Sequence, residues 1–190
     1  MKRGAAVAVL LSGGAAFGSL SCSVPPSDGT YTPAAFPDET TFSPVAELLS
    51  VRCGAIDCHG NTARNLRIYG STGLRWLSSD QPFYPLCNTS AEDLQTYDSV
   101  VGLEPERMSV VVSGGDPALL TMVDKARGTA AHKGGQIWTA GDDSDVCLIS
   151  WLQGQPNGGD CQSAVASAIP ASPRNPLLCC FESNNPTSCQ

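Results

Sequence analysis

The chain has 190 residues, enough for one compact domain with tails. Its 18 acidic against 11 basic residues, a net charge of −7, argue against nucleic-acid binding, which needs clustered Lys and Arg. Two histidines, His59 and His132, exclude a zinc site built on three of them, while nine cysteines, 19 glycines and 14 prolines point to a stapled chain with long ordered loops.

Residues 1–21 read MKRGAAVAVLLSGGAAFGSLS. Lys2 and Arg3, the apolar run Ala5–Leu11 and the small residues that follow have the three-part layout of a secretory signal. That run is too short to cross a bilayer, and no later segment is longer or more apolar. Ser19-Leu20-Ser21-Cys22 resembles a bacterial lipoprotein box, which implies that Cys22 is acylated as the first mature residue. Ordinary cleavage nearby, leaving Cys22 a thiol, is the alternative. Residues 22–41 then predict a flexible linker, with the membrane met through a lipid anchor only. Without Cys22, eight cysteines enter an oxidising compartment: Cys53, Cys58, Cys87, Cys147, Cys161, Cys179, Cys180 and Cys189. All can pair, or two can hold a cofactor while six form three disulfides.

The folded part is expected over residues 42–154. Ser43 as N-cap and Pro44 at the first helical position open a helix whose apolar residues Val45, Leu48 and Leu49 lead straight into Cys53. Residues 60–88 are punctuated by Gly, Ser, Asn and Pro and predict a loop layer, with Leu66–Tyr69 extended. Ser90-Ala91-Glu92-Asp93 opens a second helical pattern through Leu94, Tyr97, Val100 and Val101. Residues 104–112 stay open between strand and helix, since Val110-Val111-Val112 favours strand but lies in helical phase with Met108. Asp116-Pro117 predicts one helix with Leu119, Leu120, Met122, Val123 and Ala126 as its apolar face and Gly128 as its stop. Asp142, Asp143 and Ser144 cap a last core helix ending at Gly154, and residues 155–190 read as a cysteine-rich tail. The architecture expected is mainly α, a helical domain with long loops and a disulfide-rich C-terminal tail.

Arg52-Cys53-Gly54-Ala55-Ile56-Asp57-Cys58-His59-Gly60 carries the chemistry. A Cys followed at once by His, with a second Cys shortly before, is the layout for covalent haem attachment: two thiols add to the two vinyl groups and the adjacent imidazole reaches the iron. A Cys53–Cys58 disulfide bracing a turn, with His59 exposed, and a Cys/His metal site are the alternatives. The stretch resembles the c-type cytochrome domain, in the small exported version found on bacterial envelope lipoproteins. Four residues separate Cys53 from Cys58 where that family commonly has two. The resemblance covers residues 42–154 and implies a cytochrome c-like fold in which Val45, Leu48 and Leu49 meet Leu148, Trp151 and Leu152. It also implies haem c as cofactor, a redox partner protein in the envelope, and one-electron transfer rather than enzyme catalysis. The competing reading is a non-haem, disulfide-stapled envelope lipoprotein that binds or braces something else.

The resemblance places the distal ligand shortly before the last helix, where His132 stands, so His132 is the favoured sixth ligand over Met108 and Met122. An open sixth site is the remaining case. A haem pocket is expected to be lined by Leu66, Leu148 and Trp151. Lys125, Arg127 and Lys133 form a basic patch facing haem propionates or an acidic partner, and Cys87 is expected to pair with Cys147. Gly114-Gly115-Asp116 and Asp142, Asp143 and Asp145 read as turn and helix caps in preference to an anion or calcium site. A serine nucleophile and a Cys-x-x-Cys oxidoreductase both lack their motifs.

Overall fold

A computed structural model describes residues 34–71, 73–76 and 88–168. Cys22, Cys87, Cys179, Cys180, Cys189 and the leader lie outside the described residues. Six helices carry the fold: α1 Ser43–Cys53, α2 Ser90–Val101, α3 Pro105–Val112, α4 Thr121–Ala126, α5 Asp143–Leu152 and α6 Gly158–Ala168. Among the described residues there are two isolated bridges, Ala55 with Gly73 and Tyr69 with Leu74, and no strand. The architecture is mainly α.

Helix α1 is the central strut. Phe42, Val45, Ala46, Leu48, Leu49 and Ser50 are all buried, and α1 packs on α2, α5 and α6. A helix covered on so many sides shows no narrow apolar stripe in its sequence. The expected meeting of Val45, Leu48 and Leu49 with Leu148, Trp151 and Leu152 falls within one buried cluster. Trp151 packs on Phe42 with ring centroids 4.7 Å apart and planes tilted by 48°, and it donates its Nε1 hydrogen to the Asp38 carbonyl at 3.0 Å.

Several sequence expectations are corrected by packing. Phe42, not Ser43, is the α1 N-cap; Ser43 is already helical and its hydroxyl bonds Asp93. The segment 35–41 is tied down instead of loose: Ala35 N donates to Ser109 Oγ, and Pro37 O accepts from the Tyr97 hydroxyl at 2.8 Å. Residues 105–112 are helical, because burying Met108 and Val111 on one side outweighs the strand propensity of three valines. The helix expected from Pro117 breaks at Leu120 (ψ 123°) into a 3-10 turn and α4, which leaves Leu119 exposed and buries Leu120. Gly128 (φ +75°) and Gly154 (φ +72°) do stop α4 and α5.

The largest correction is α6. The expected cysteine-rich tail begins with an 11-residue helix whose Cys161, Ala164 and Val165 are buried against α1 and α5. Cys161 pairs with Cys147 across a Cα–Cα distance of 4.7 Å. The expected Cys87–Cys147 bond is therefore ruled out, since Cys147 is taken by a partner that the helical contact places beside it.

Candidate functional site

The C-terminal end of α1 delivers Cys53 to a tight turn. His59 N donates to the Cys53 carbonyl at 3.0 Å and Cys58 N to the Ala55 carbonyl at 2.9 Å, so residues 53–59 fold back on themselves. The Gly54 carbonyl lies between Gly60 and Gly73, and a Cβ at either position would overlap it. The turn's outer residue, Ile56, is 68% exposed. Arg64 ties the turn from outside, with Nε on the Cys58 carbonyl at 2.9 Å and Nη2 on the Asp57 carbonyl at 3.1 Å.

Cys53 and Cys58 are free thiols, both half-buried. Burial, with Cys58 nearby adding to it, pushes the Cys53 thiol up to about 12. It therefore stays protonated and is a poor nucleophile toward disulfides.

The structure brings His59 and His132 together, although 73 positions separate them in the sequence. Their ring centroids are 6.1 Å apart and the rings are 23° from parallel. Each Nδ1 faces a main-chain carbonyl, that of Leu66 at 3.0 Å for His59 and that of Gly135 at 3.1 Å for His132. A carbonyl only accepts, so each neutral ring must carry its proton on Nδ1 and keep the Nε2 lone pair for another partner. Burial, offset by the Leu66 bond and reinforced by His132, lowers the His59 pKa, which keeps that ring neutral and able to ligate.

Two adjoining cavities meet at this pair, of about 480 and 430 Å³, and both are lined by Cys53, His59, Arg64, Lys125, His132 and Ile137. The larger also has Leu49, Leu66, Met122 and Trp138 in its walls, and the smaller has Cys58, Asp57 and Lys133. Leu66 is where it was expected. Leu148 and Trp151 are not in the lining: both sit in the helical core, and Trp138 takes the wall instead. Trp138 is 4% exposed and its Nε1 hydrogen has no acceptor among the described residues. Nothing in the sequence periodicity marked it, because it follows a glycine-rich loop and not a helical stripe.

Met108 is buried in the core, away from the lining, and Met122 is half-buried at the cavity wall. Of the expected basic patch, Arg127 is withdrawn: its guanidinium grips the Asp145 carboxylate at 2.7 and 2.9 Å, which raises its pKa further. Lys125 and Lys133 remain at the cavities. Asp142 caps α5 by accepting from Asp145 N, and Asp116 caps the 3-10 turn through Ala118 N.

No protein family, no curated protein and no solved structure matched the chain. The chemistry of the site therefore rests on its own side chains. Among the described residues, no three His, Cys, Asp or Glu side chains converge on one point.

Proposed function

We propose that this protein is a monohaem c-type cytochrome-like electron carrier, with Cys53 and Cys58 holding the haem, His59 as proximal ligand and His132 as distal ligand. The observation that carries it is the histidine pair. The ring centroids lie 6.1 Å apart with the planes 23° from parallel, and both rings are oriented at Nδ1 by the kind of carbonyl bond that metal-ligating histidines use, which keeps both Nε2 lone pairs for a shared group.

The surroundings support the same reading. Each cavity lies within the about 300–1,000 Å³ of small-molecule sites. The unpartnered Trp138 Nε1 hydrogen, with Lys125 and Arg64, suits the carboxylates of a propionate edge. Cys53 and Cys58 stand as free thiols where the stapled-module reading needs a disulfide. Each thiol would add across one vinyl group, sulfur to one carbon and hydrogen to the other, with no oxidant consumed.

When bound, the haem supplies the one-electron couple. Two imidazoles favour a lower potential than a His/Met pair. The chain's own part is to hold His59 in place, shield the site with Leu49, Leu66 and Trp138, and present the turn around exposed Ile56 to a redox partner protein. Export through residues 1–21 and anchoring through Cys22 complete the proposal. The Cys147–Cys161 disulfide agrees with an oxidising compartment, and among the described residues no helix is long and apolar enough to cross a membrane.

The test is a pyridine haemochrome spectrum of full-length protein from an exporting host with cytochrome c maturation machinery. Haem that survives acid–acetone extraction and is lost in Cys58→Ala is the expected result. A colourless protein with Cys53 and Cys58 in one disulfide-linked peptide overturns the proposal in favour of a stapled envelope lipoprotein.

A further inference from the structure

The two histidines are mounted very differently. His59 is stitched to the core: its N–H donates to Cys53 O, its carbonyl accepts from Ile68 N at 2.9 Å, and Ile68 is fully buried. His132 stands in the loop 129–136, whose central bonds close on themselves. Gly135 N donates to the His132 carbonyl, and His132 Nδ1 turns back to the Gly135 carbonyl. The main-chain anchors lie at the ends, where Thr129 and Ala130 donate to Asp124 O and Ile137 and Trp138 to Ala126 O. Gly128 and Gly135 hold φ of +75° and +71°, backbone states that glycine adopts at little cost. Residues 133–136 are exposed. The loop can therefore swing His132 away by giving up contacts with the cavity, while its internal turn stays intact.

What lies behind it is cationic. Lys133 and Arg52 line the smaller cavity beside Lys125 and Arg64, the two cations that the haem reading sets against the propionates, and Asp57 is the one carboxylate of the lining, so the four cations still exceed these three negative charges. Neither lysine has a salt-bridge partner among the described residues. In a chain of net charge −7 this is a local reversal of sign, and it concentrates small anions at the mouth.

Resting on the haem reading above, we propose that His132 is an exchangeable ligand and that a small inorganic anion takes its place at the iron. With haem bound, His132 Nε2 would leave the iron and keep its electron pair, and a lone pair of the anion would take the vacated position, with no electron or proton transferred.

Azide is the probe, mixed in stopped flow with full-length ferric protein already shown to hold covalent haem with two nitrogen ligands. The observed rate is expected to rise with azide and then level off at a ceiling set by loop opening. His132→Ala should bind azide about tenfold more tightly or better, with no ceiling, because no fraction of the site is then closed. Trypsin should cut after Lys133 several-fold faster in azide than without it, a readout independent of the haem spectrum. Added salt should slow the sub-ceiling rate. Absence of an azide adduct in the wild type, or a rate without a ceiling and unchanged cleavage at Lys133, overturns the exchange while leaving the cytochrome reading intact. A wild-type spectrum that is five-coordinate before azide also overturns it. Failure of haem attachment shows earlier, in the haemochrome, and removes both.

Discussion

The two flanks of α1 are built on opposite principles. Toward α5 and α6 the contacts are apolar, with Leu48, Leu148, Leu152, Ala164 and Val165 all fully buried and one disulfide behind them. Toward α2 the helix offers Glu47, whose carboxylate accepts from Asn88 N at 3.1 Å and sits near Asp93 and Glu92. Asn88 Nδ2 donates to Asp93 at 3.2 Å, and Glu92 is held by Arg75 at 2.7 Å while closing a capping box with Thr89. Non-directional burial supplies most of the cohesion on the first flank, whereas paired polar groups define position on the second and make it sensitive to protons.

The apolar flank should be the easier to break. Trp151→Ala removes a ring packed on both Phe42 and Tyr97 and should cost about 3–5 kcal/mol, read from the denaturant midpoint by far-UV circular dichroism. A loss below about 1 kcal/mol would mean that this flank is not the centre of cohesion. Replacing both Cys147 and Cys161 by Ser opens a link between positions 14 apart and should cost about 3 kcal/mol, in the same assay.

The polar flank should respond in its pH profile. Burial, with Asp93 beside it, raises Glu47 from 4.5 to about 7, so the folded state binds a proton more readily than the unfolded chain. Stability from this group is complete below about pH 4.5 and declines as pH rises through 7, by up to about 3 kcal/mol. Asp93 is raised as well, mainly by burial, and acts with the same sign. Glu47→Gln should flatten the decline of stability between pH 5 and 8, with Asp93 leaving a residual slope. An unchanged slope in the variant would place the sensitivity elsewhere.

Much of α1 and α5 was legible because their apolar positions coincide with buried ones, and Pro44, Asp142 and Gly154 do in the fold what their chemistry suggests; in α2 the expectation held for Val100 and Val101 but not for Leu94, which is exposed while Glu92 and Thr96 are buried beside Arg75 and Tyr69. Helix α6 was hidden because Gly158-Gly159 and the flanking Asn and Pro look like loop, and its signal is only Cys161, Ala164 and Val165 on one face. The break at Leu120 was equally silent, since the residues on both sides fit one helical phase. In the site, the thiol turn and both histidines were visible from residue type, but Trp138 was not. Its role arises where the loop end bonds Ala126, a long-range event with no local spacing to announce it.

The glycines around the thiol turn carry one more consequence. A carbonyl pinned between Gly60 and Gly73 means that the shape of the two-thiol turn is encoded by missing side chains. Sequence drift can therefore rewrite Ile56, whose side chain points into solvent, and so change what the turn shows to a partner. The same freedom is closed at Gly60 and Gly73, where any side chain would push aside the main chain that carries Cys53 and Cys58. The turn's surface is thus open to variation and its geometry is not.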